Sequence, residues 1–136
     1  MNSRQVTLVQ TSFSQLKATG DQIAEIFYAR LFALHPEYRA LFPQDMALQK
    51  AKLIARLAFI VENLMILDAL IPALQQLGER HKSYGVRPQY YEPLGESLIW
   101  ALEQMLGEQF TPETRRAWNS VYTMMANTML RAAGEE

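Results

Sequence analysis

The chain has 136 residues, of which 49% are hydrophobic and 20% charged, and its formal net charge is -1. That length suits one domain, 1–136, able to bury about two-thirds of its unfolded surface, while the composition excludes disorder and the near-neutral charge excludes the basic footprint of a nucleic-acid binder. No cysteine is present, so disulfides, thiolate metal sites, thiol catalysis and cysteine-attached cofactors are excluded too.

Residues 1–10 contain no apolar signal core, and the longest uncharged run, 117–130, is too short and too polar to span a bilayer. The expectation is a cytoplasmic protein with no membrane partner. No segment alternates apolar and polar residues for long, whereas apolar residues recur at spacings of three and four almost throughout. The fold class read from this is all-α.

A first helix carries Val6, Val9, Phe13 and Leu16. Gly20 and Asp21 break it and cap a second, which bears Ile23, Ile26, Phe27, Leu31 and Leu34. His35-Pro36 forces a corner. A short turn around Tyr38, Leu41 and Phe42 meets Pro43, and a long helix follows over about 46–63, with Leu53, Leu57, Ile60 and Leu64 along its seam.

The next helix holds Leu70 to His81 and stops before Gly85, where a loop reaches Pro88. A helix with Tyr91, Leu94, Leu98, Leu102 and Met105 then ends at Gly107. The last begins at Thr111-Pro112-Glu113, where a hydroxyl cap, a first-turn proline and an early carboxylate agree. It carries Trp118, Val121, Tyr122, Met125 and Met129, and Gly134-Glu135-Glu136 reads as a frayed tail. Six or more helices of unequal length do not describe a simple four-helix bundle.

Polar residues interrupt this pattern at informative places. Leu70, Leu74, Leu77 and His81 step by four, three and four residues, so the imidazole faces where the leucines face. The common reading of a lone histidine there is a core residue satisfied by a backbone carbonyl. Gln49 stands on the seam of Leu53 and Leu57, and Tyr28 supplies a third polar tip from the second helix. Each has an ordinary alternative, Gln49 as a cap or solvated side chain and Tyr28 as a core aromatic. Buried polar atoms cost about 1–3 kcal/mol when unpaired, so an inserted ligand would account for all three together.

Metal chemistry narrows the options further. His35 and His81 are the two histidines, and no carboxylate stands at helical ligand spacing from His81 on its apolar face. One imidazole alone holds few metals, but it can hold the iron of a haem whose ring supplies four nitrogens.

The string Phe27-Tyr28-Ala29-Arg30-Leu31-Phe32-Ala33-Leu34-His35-Pro36-Glu37, then Leu41-Phe42, Gln49 with Leu53, Leu77-Gly78-Glu79-Arg80-His81-Lys82-Ser83-Tyr84-Gly85-Val86, and Ala117-Trp118 with Tyr122 resembles the bacterial single-domain globins. These are similar to Vitreoscilla-type haemoglobin and to the globin domain of flavohaemoglobins. The likeness covers nearly the whole chain in order and spacing.

The resemblance implies a three-over-three globin fold of about six to eight helices around haem b. It implies His81 as the proximal iron ligand, Phe42 packed on the haem face, Tyr28 and Gln49 as the distal polar pair, and Leu53 as the apolar wall beside a bound gas. Lys52, Arg80 and Arg87 are implied propionate partners, joined by Tyr84, while Val86 and Tyr91 complete the cofactor set. The carbonyl of Leu77 or Gly78, one turn back from His81, is well placed to accept its second N–H. The family's proximal glutamate would fall at Ala133, a departure that argues against peroxidase-like activity.

The function implied is reversible, high-affinity binding of dioxygen and other diatomic gases. A nitric oxide dioxygenase is the enzymatic alternative, but the chain lacks a Gly-x-Gly-x-x-Gly fingerprint, so turnover would need a separate reductase as partner. A haem-free globin-like interaction module is the third reading. The expected state is a monomer or weak homodimer.

Overall fold

Six stretches of three-and-four apolar spacing fold as α-helices in the computed structural model, which describes residues 2–134. They are α1 (Ser3–Ser14), α2 (Gly20–Leu34), α3 (Ala47–Glu62), α4 (Leu67–Ser83), α5 (Tyr91–Leu106) and α6 (Pro112–Ala132). Short 3-10 segments at Lys17–Thr19, Pro36–Leu41, Pro88–Tyr90 and Gly107–Gln109 connect four of the junctions. No strand occurs among the described residues, in keeping with the all-α expectation. Glu135 and Glu136 of the expected tail lie outside the described residues.

Local chemistry explains the starts of α1 and α6. Asn2 and Gln5 form a reciprocal capping box on α1, with Gln5 N donating to Asn2 Oδ1 at 2.9 Å and Asn2 N donating to Gln5 Oε1 at 3.2 Å. Thr111 Oγ1 accepts from Thr114 N at 3.1 Å and Pro112 opens α6, as its sequence signals require.

Two boundaries differ from expectation. Gly20 neither breaks α1 nor caps α2: it is the first residue of α2, in ordinary helical geometry, and α1 already ends at Ser14. A Cβ on Gly20 would stand 3.1 Å from Ile54 Cγ2, so what this position needs is a small residue at the crossing of α2 and α3. The fourth helix begins at Leu67, ahead of the Leu70 stripe, and ends at Ser83, before Gly85 as read. Its N-cap, Ile66, has no side chain able to cap, and Met65, Ile66 and Leu67 are exposed apolar residues that carry no boundary signal. Leu34, at the end of α2, is 38% exposed.

The core is built where α2 packs on α5 and α3, and where α1 and α4 both pack on α6. Val9, Ile23, Leu31, Leu70, Leu74, Leu102, Trp118 and Val121 are essentially withdrawn from water, each contributing about 1.5–3 kcal/mol of transfer free energy. Trp118 Nε1 donates to Ser12 Oγ at 2.9 Å, and that hydroxyl donates to Leu8 O at 2.7 Å. The one polar atom of a large buried side chain is thereby satisfied, and α6 is tied to α1.

The crossing of α4 and α6 is close enough to exclude a side chain. A Cβ added to Gly78 would meet Met129 O at 2.2 Å and Met129 Cα at 2.6 Å. Gly78 therefore sets how deeply the C-terminal half of α4 sits, and that half carries Leu77 and His81.

Candidate functional site

A cavity of about 540 Å³ opens between α2, α3, α4, α5 and α6, within the size range of small-molecule and cofactor sites. Its wall is largely aliphatic and aromatic, with Phe27, Leu57, Ile60, Leu94, Leu98, Met125 and Met129 among its residues. Tyr28, Phe42, Gln49, Lys52, Leu53, His81, Tyr84, Val86 and Tyr91, all singled out from the sequence, line it as well.

The α4 stripe descends from core to cavity. Leu70 and Leu74 are 0% and 1% exposed, whereas Leu77 and His81, two turns later, are half-buried on the cavity wall. The end of the helix locks the histidine in place. Val86 N donates to His81 O at 2.9 Å and Gly85 N to Lys82 O at 3.0 Å, the paired bonds of a Schellman closure, with Gly85 at φ 89° as the residue that can take the left-handed turn.

His81 Nδ1 stands 2.8 Å from Leu77 O. A carbonyl oxygen only accepts, so Nδ1 carries the proton and Nε2, at the far end of the ring, keeps the lone pair. Burial lowers the imidazole below its ordinary value, the Leu77 bond opposes this, and the charge of Arg56 adds to it. The ring is a neutral, oriented Lewis base.

On the α2–α3 side, Gln49 Nε2 donates to Tyr28 Oη at 3.2 Å. Because the phenol oxygen accepts there, its own hydrogen is left to point elsewhere. Burial raises the Tyr28 hydroxyl above its ordinary value, outweighing the opposite pulls of the Gln49 bond and of Arg56. The tyrosine stays protonated and remains a donor. Its ring is held on three sides by Phe27, Phe32 and Phe42, at centroid distances of 4.9, 5.8 and 5.4 Å.

Phe42 follows the Pro36–Leu41 turn, and the segment after it is laced by one guanidinium. Arg39 Nη1 donates to Phe42 O at 3.4 Å and Pro43 O at 2.8 Å, and Nη2 donates to Gln44 O at 2.8 Å. This lacing was not legible as such, because Arg39 sits in an ordinary polar turn.

Arg80 and Arg87 do not line the cavity. Each helical step turns about 100°, so the residue next to His81 leaves its face. Arg56 lines the cavity instead, with Lys52. Its signal was available: seven residues after Gln49 and three after Leu53, it falls on their seam.

Tyr91 is buried on α5, and its carbonyl accepts from the Tyr122 hydroxyl. Gly95 admits the Tyr122 ring, since a Cβ there would come within 2.5 Å of Tyr122 Cε2. Ala133 caps the end of α6, and its carbonyl accepts from Lys82 Nζ at 2.9 Å.

Residues 25–129 match the Globin family. The chain belongs to the globin family. Its helices form the expected three-over-three globin fold, and the globin family is one of haem proteins that bind diatomic gases. This globin is 27% identical over 133 residues to a flavohemoprotein of Bacillus subtilis, covering 96% of this chain and 33% of that protein. It is 30% identical over 126 residues to a flavohemoprotein of Bordetella parapertussis, covering 90% and 31%. The globin thus spans about a third of the length of these curated relatives.

Among solved structures, it resembles an engineered carbene transferase derived from a candidate nitric oxide dioxygenase of Rhodothermus marinus. The TM-score is 0.89 at 24% identity, covering 99% of this chain and 94% of that one. A bacterial globin from Campylobacter jejuni matches with a TM-score of 0.86 at 19% identity, covering 98% and 97%. At these identities the structural likeness speaks for the fold.

Proposed function

We propose that this globin holds haem b on His81 and binds dioxygen reversibly and with high affinity, using Tyr28 and Gln49 to retain it. The residues suit the group. A flat tetrapyrrole with two carboxylates asks for an apolar slot, one neutral imidazole and cations within reach. The cavity offers all three, in its aliphatic wall, in His81 with Nδ1 committed to Leu77 O, and in Lys52 and Arg56.

When bound, haem would supply an iron that takes up a diatomic gas and leaves partial negative charge on dioxygen. The observation that carries the proposal is the direction of the Gln49 to Tyr28 hydrogen bond. It leaves the Tyr28 O–H to donate into the cavity, toward such a charge. A hydrogen bond to a charged group is worth about 1.5–3 kcal/mol, so each donor slows release by roughly 10- to 100-fold. Leu53 and Phe42 keep the site apolar, and Tyr91 lines it as well.

Rapid-mixing measurement of dioxygen dissociation tests this: Tyr28→Phe and Gln49→Leu should each release dioxygen at least tenfold faster. Unchanged rates would sink the assignment. An absorption spectrum separates the haem-free module, since a colourless protein that takes up no haem, or a His81→Ala variant that binds it normally, ends the haem reading.

Nitric oxide dioxygenation is a second reading, supported by the flavohemoprotein relatives. The present 136 residues hold no Gly-x-Gly-x-x-Gly fingerprint, so the reducing equivalents come from elsewhere. Sustained nitric oxide consumption that depends on an added reductase would favour it.

A further inference from the structure

Outside the cavity, a column of three rings joins two turns of the chain. Tyr38, in the 3-10 segment Pro36–Leu41, is 7% exposed. Its ring lies 4.5 Å from that of His35 at an interplanar angle of 7°, and 4.5 Å from that of Tyr90 at 45°. Tyr90 ends the 3-10 segment Pro88–Tyr90 and is half-buried. The imidazole is itself held, since its Nδ1 donates to Glu37 Oε1 at 2.9 Å. A second contact brings the same stretches together, because a Cβ on Gly85 would stand 3.9 Å from Leu41 Cδ2. The rings therefore meet where the segment leading to Phe42 adjoins the loop that follows His81.

Two phenols so placed share a chemistry that neither has alone. A phenol that gives up one electron and its proton becomes a phenoxyl radical, and here the partner for coupling is already in contact. Freely diffusing phenols never reach such an effective concentration. His35 covers one side of Tyr38 and burial closes most of the rest, so an oxidant that takes an electron from this ring has little room to add to it. Nitrogen dioxide is a one-electron oxidant of this kind, and it forms wherever nitric oxide meets dioxygen.

We propose that Tyr38 and Tyr90 form an oxidative coupling site, joined by nitrogen dioxide into a dityrosine. Two nitrogen dioxide molecules each take one electron and leave as nitrite, and the two phenolic protons pass to water. One bond forms between an ortho carbon of each ring, and the hydrogens on those carbons move to the oxygens and restore both phenols. The new bond closes a loop that contains α3 and α4, so it staples together the stretches that carry Gln49 and His81. It needs no haem and stands independently of the function proposed above.

The test exposes the purified full chain to nitrogen dioxide generated radiolytically from nitrite, with the dose set to modify Tyr84, which is 65% exposed. Wild type is compared with Tyr38→Phe, Tyr90→Phe and Tyr84→Phe, each of which keeps its ring, after circular dichroism has confirmed equal helicity. The monomer should lose the mass of two hydrogens and yield a cross-linked peptide joining Tyr38 to Tyr90. The product should vanish in Tyr38→Phe and Tyr90→Phe and persist in Tyr84→Phe. Its yield should fall at least roughly tenfold when the chain is unfolded in urea before exposure. The linked protein should melt roughly 5 °C or more above the unlinked one, because the closed loop restricts the unfolded chain. Tyr38 and Tyr90 left unlinked at that dose, whether nitrated or unchanged, a link that joins two chains instead of one, or an equal yield from the unfolded chain would overturn the proposal.

Discussion

Replacing Gly78 with alanine tests how α4 is seated, and the structure allows its sign to be worked out. In an open helix the change would stabilise, because alanine has the better propensity by about 1 kcal/mol. Here the new methyl would stand 2.2 Å from Met129 O and 2.6 Å from Met129 Cα, more than 1 Å inside ordinary contact. The obstructing atoms are backbone, so no rotamer change relieves them and the two helices must part. Overpacking of this kind costs about 1–3 kcal/mol, and a backbone obstruction belongs at the upper end or beyond. The net effect is a loss of about 2 kcal/mol or more, which for a chain of this length lowers the melting temperature by roughly 6–10 °C. Urea unfolding followed by circular dichroism would show a lower midpoint with an unchanged slope. Because Gly78 lies three residues before His81, haem uptake should weaken too. A Gly78→Ala protein as stable as wild type, or more so, would refute the close crossing.

Tyr122 gives a pH-dependent outcome. Burial pushes its hydroxyl far above the ordinary tyrosine value, so the folded chain holds this proton after the unfolded chain has released it near pH 10. The stability it contributes is complete below about pH 10 and is lost as pH rises further. Tyr122→Phe should therefore cost about 0.5–1.5 kcal/mol at pH 8 yet lose less additional stability between pH 10 and 12 than wild type, and parallel curves in urea melts would contradict this. Arg39→Ala should free the segment after Phe42 while leaving global stability within about 1 kcal/mol. Faster amide exchange at residues 42–45 would register it, and unchanged protection there would show that the lacing is idle.

What the amino-acid pattern disclosed, and what it hid, divides by distance along the chain. The stripe from Leu70 to His81, the stop at Gly85 and the start at Thr111 are written in residues within a turn or two of each other, and they appear in the fold where they were read. Gly20 was misread because its role depends on Ile54, thirty-four positions away and on another helix. Arg80 was chosen for its charge and its nearness to His81, but one helical step turned it off the cavity face. Arg56 was passed over for the opposite reason: on a seam of leucines and isoleucines a charged residue reads as solvated, yet this one lines the cavity. Phe42 was recognised, whereas the guanidinium that holds its segment was not, since three carbonyls converge on Arg39 only after the turn has formed.

The hydrogen bond between Gln49 and Tyr28 has a direction, and that direction can be reversed by one torsion. With the amide nitrogen toward the phenol, the tyrosine hydrogen is available to the cavity. Turn the Gln49 amide by half a revolution and its oxygen claims that hydrogen instead, so the phenol shows the cavity only lone pairs. The phenol would then repel a negatively polarised guest that it now attracts. Rotation about the last bond of a single side chain thus acts as a two-position selector of ligand polarity, without any movement of the helices that carry it.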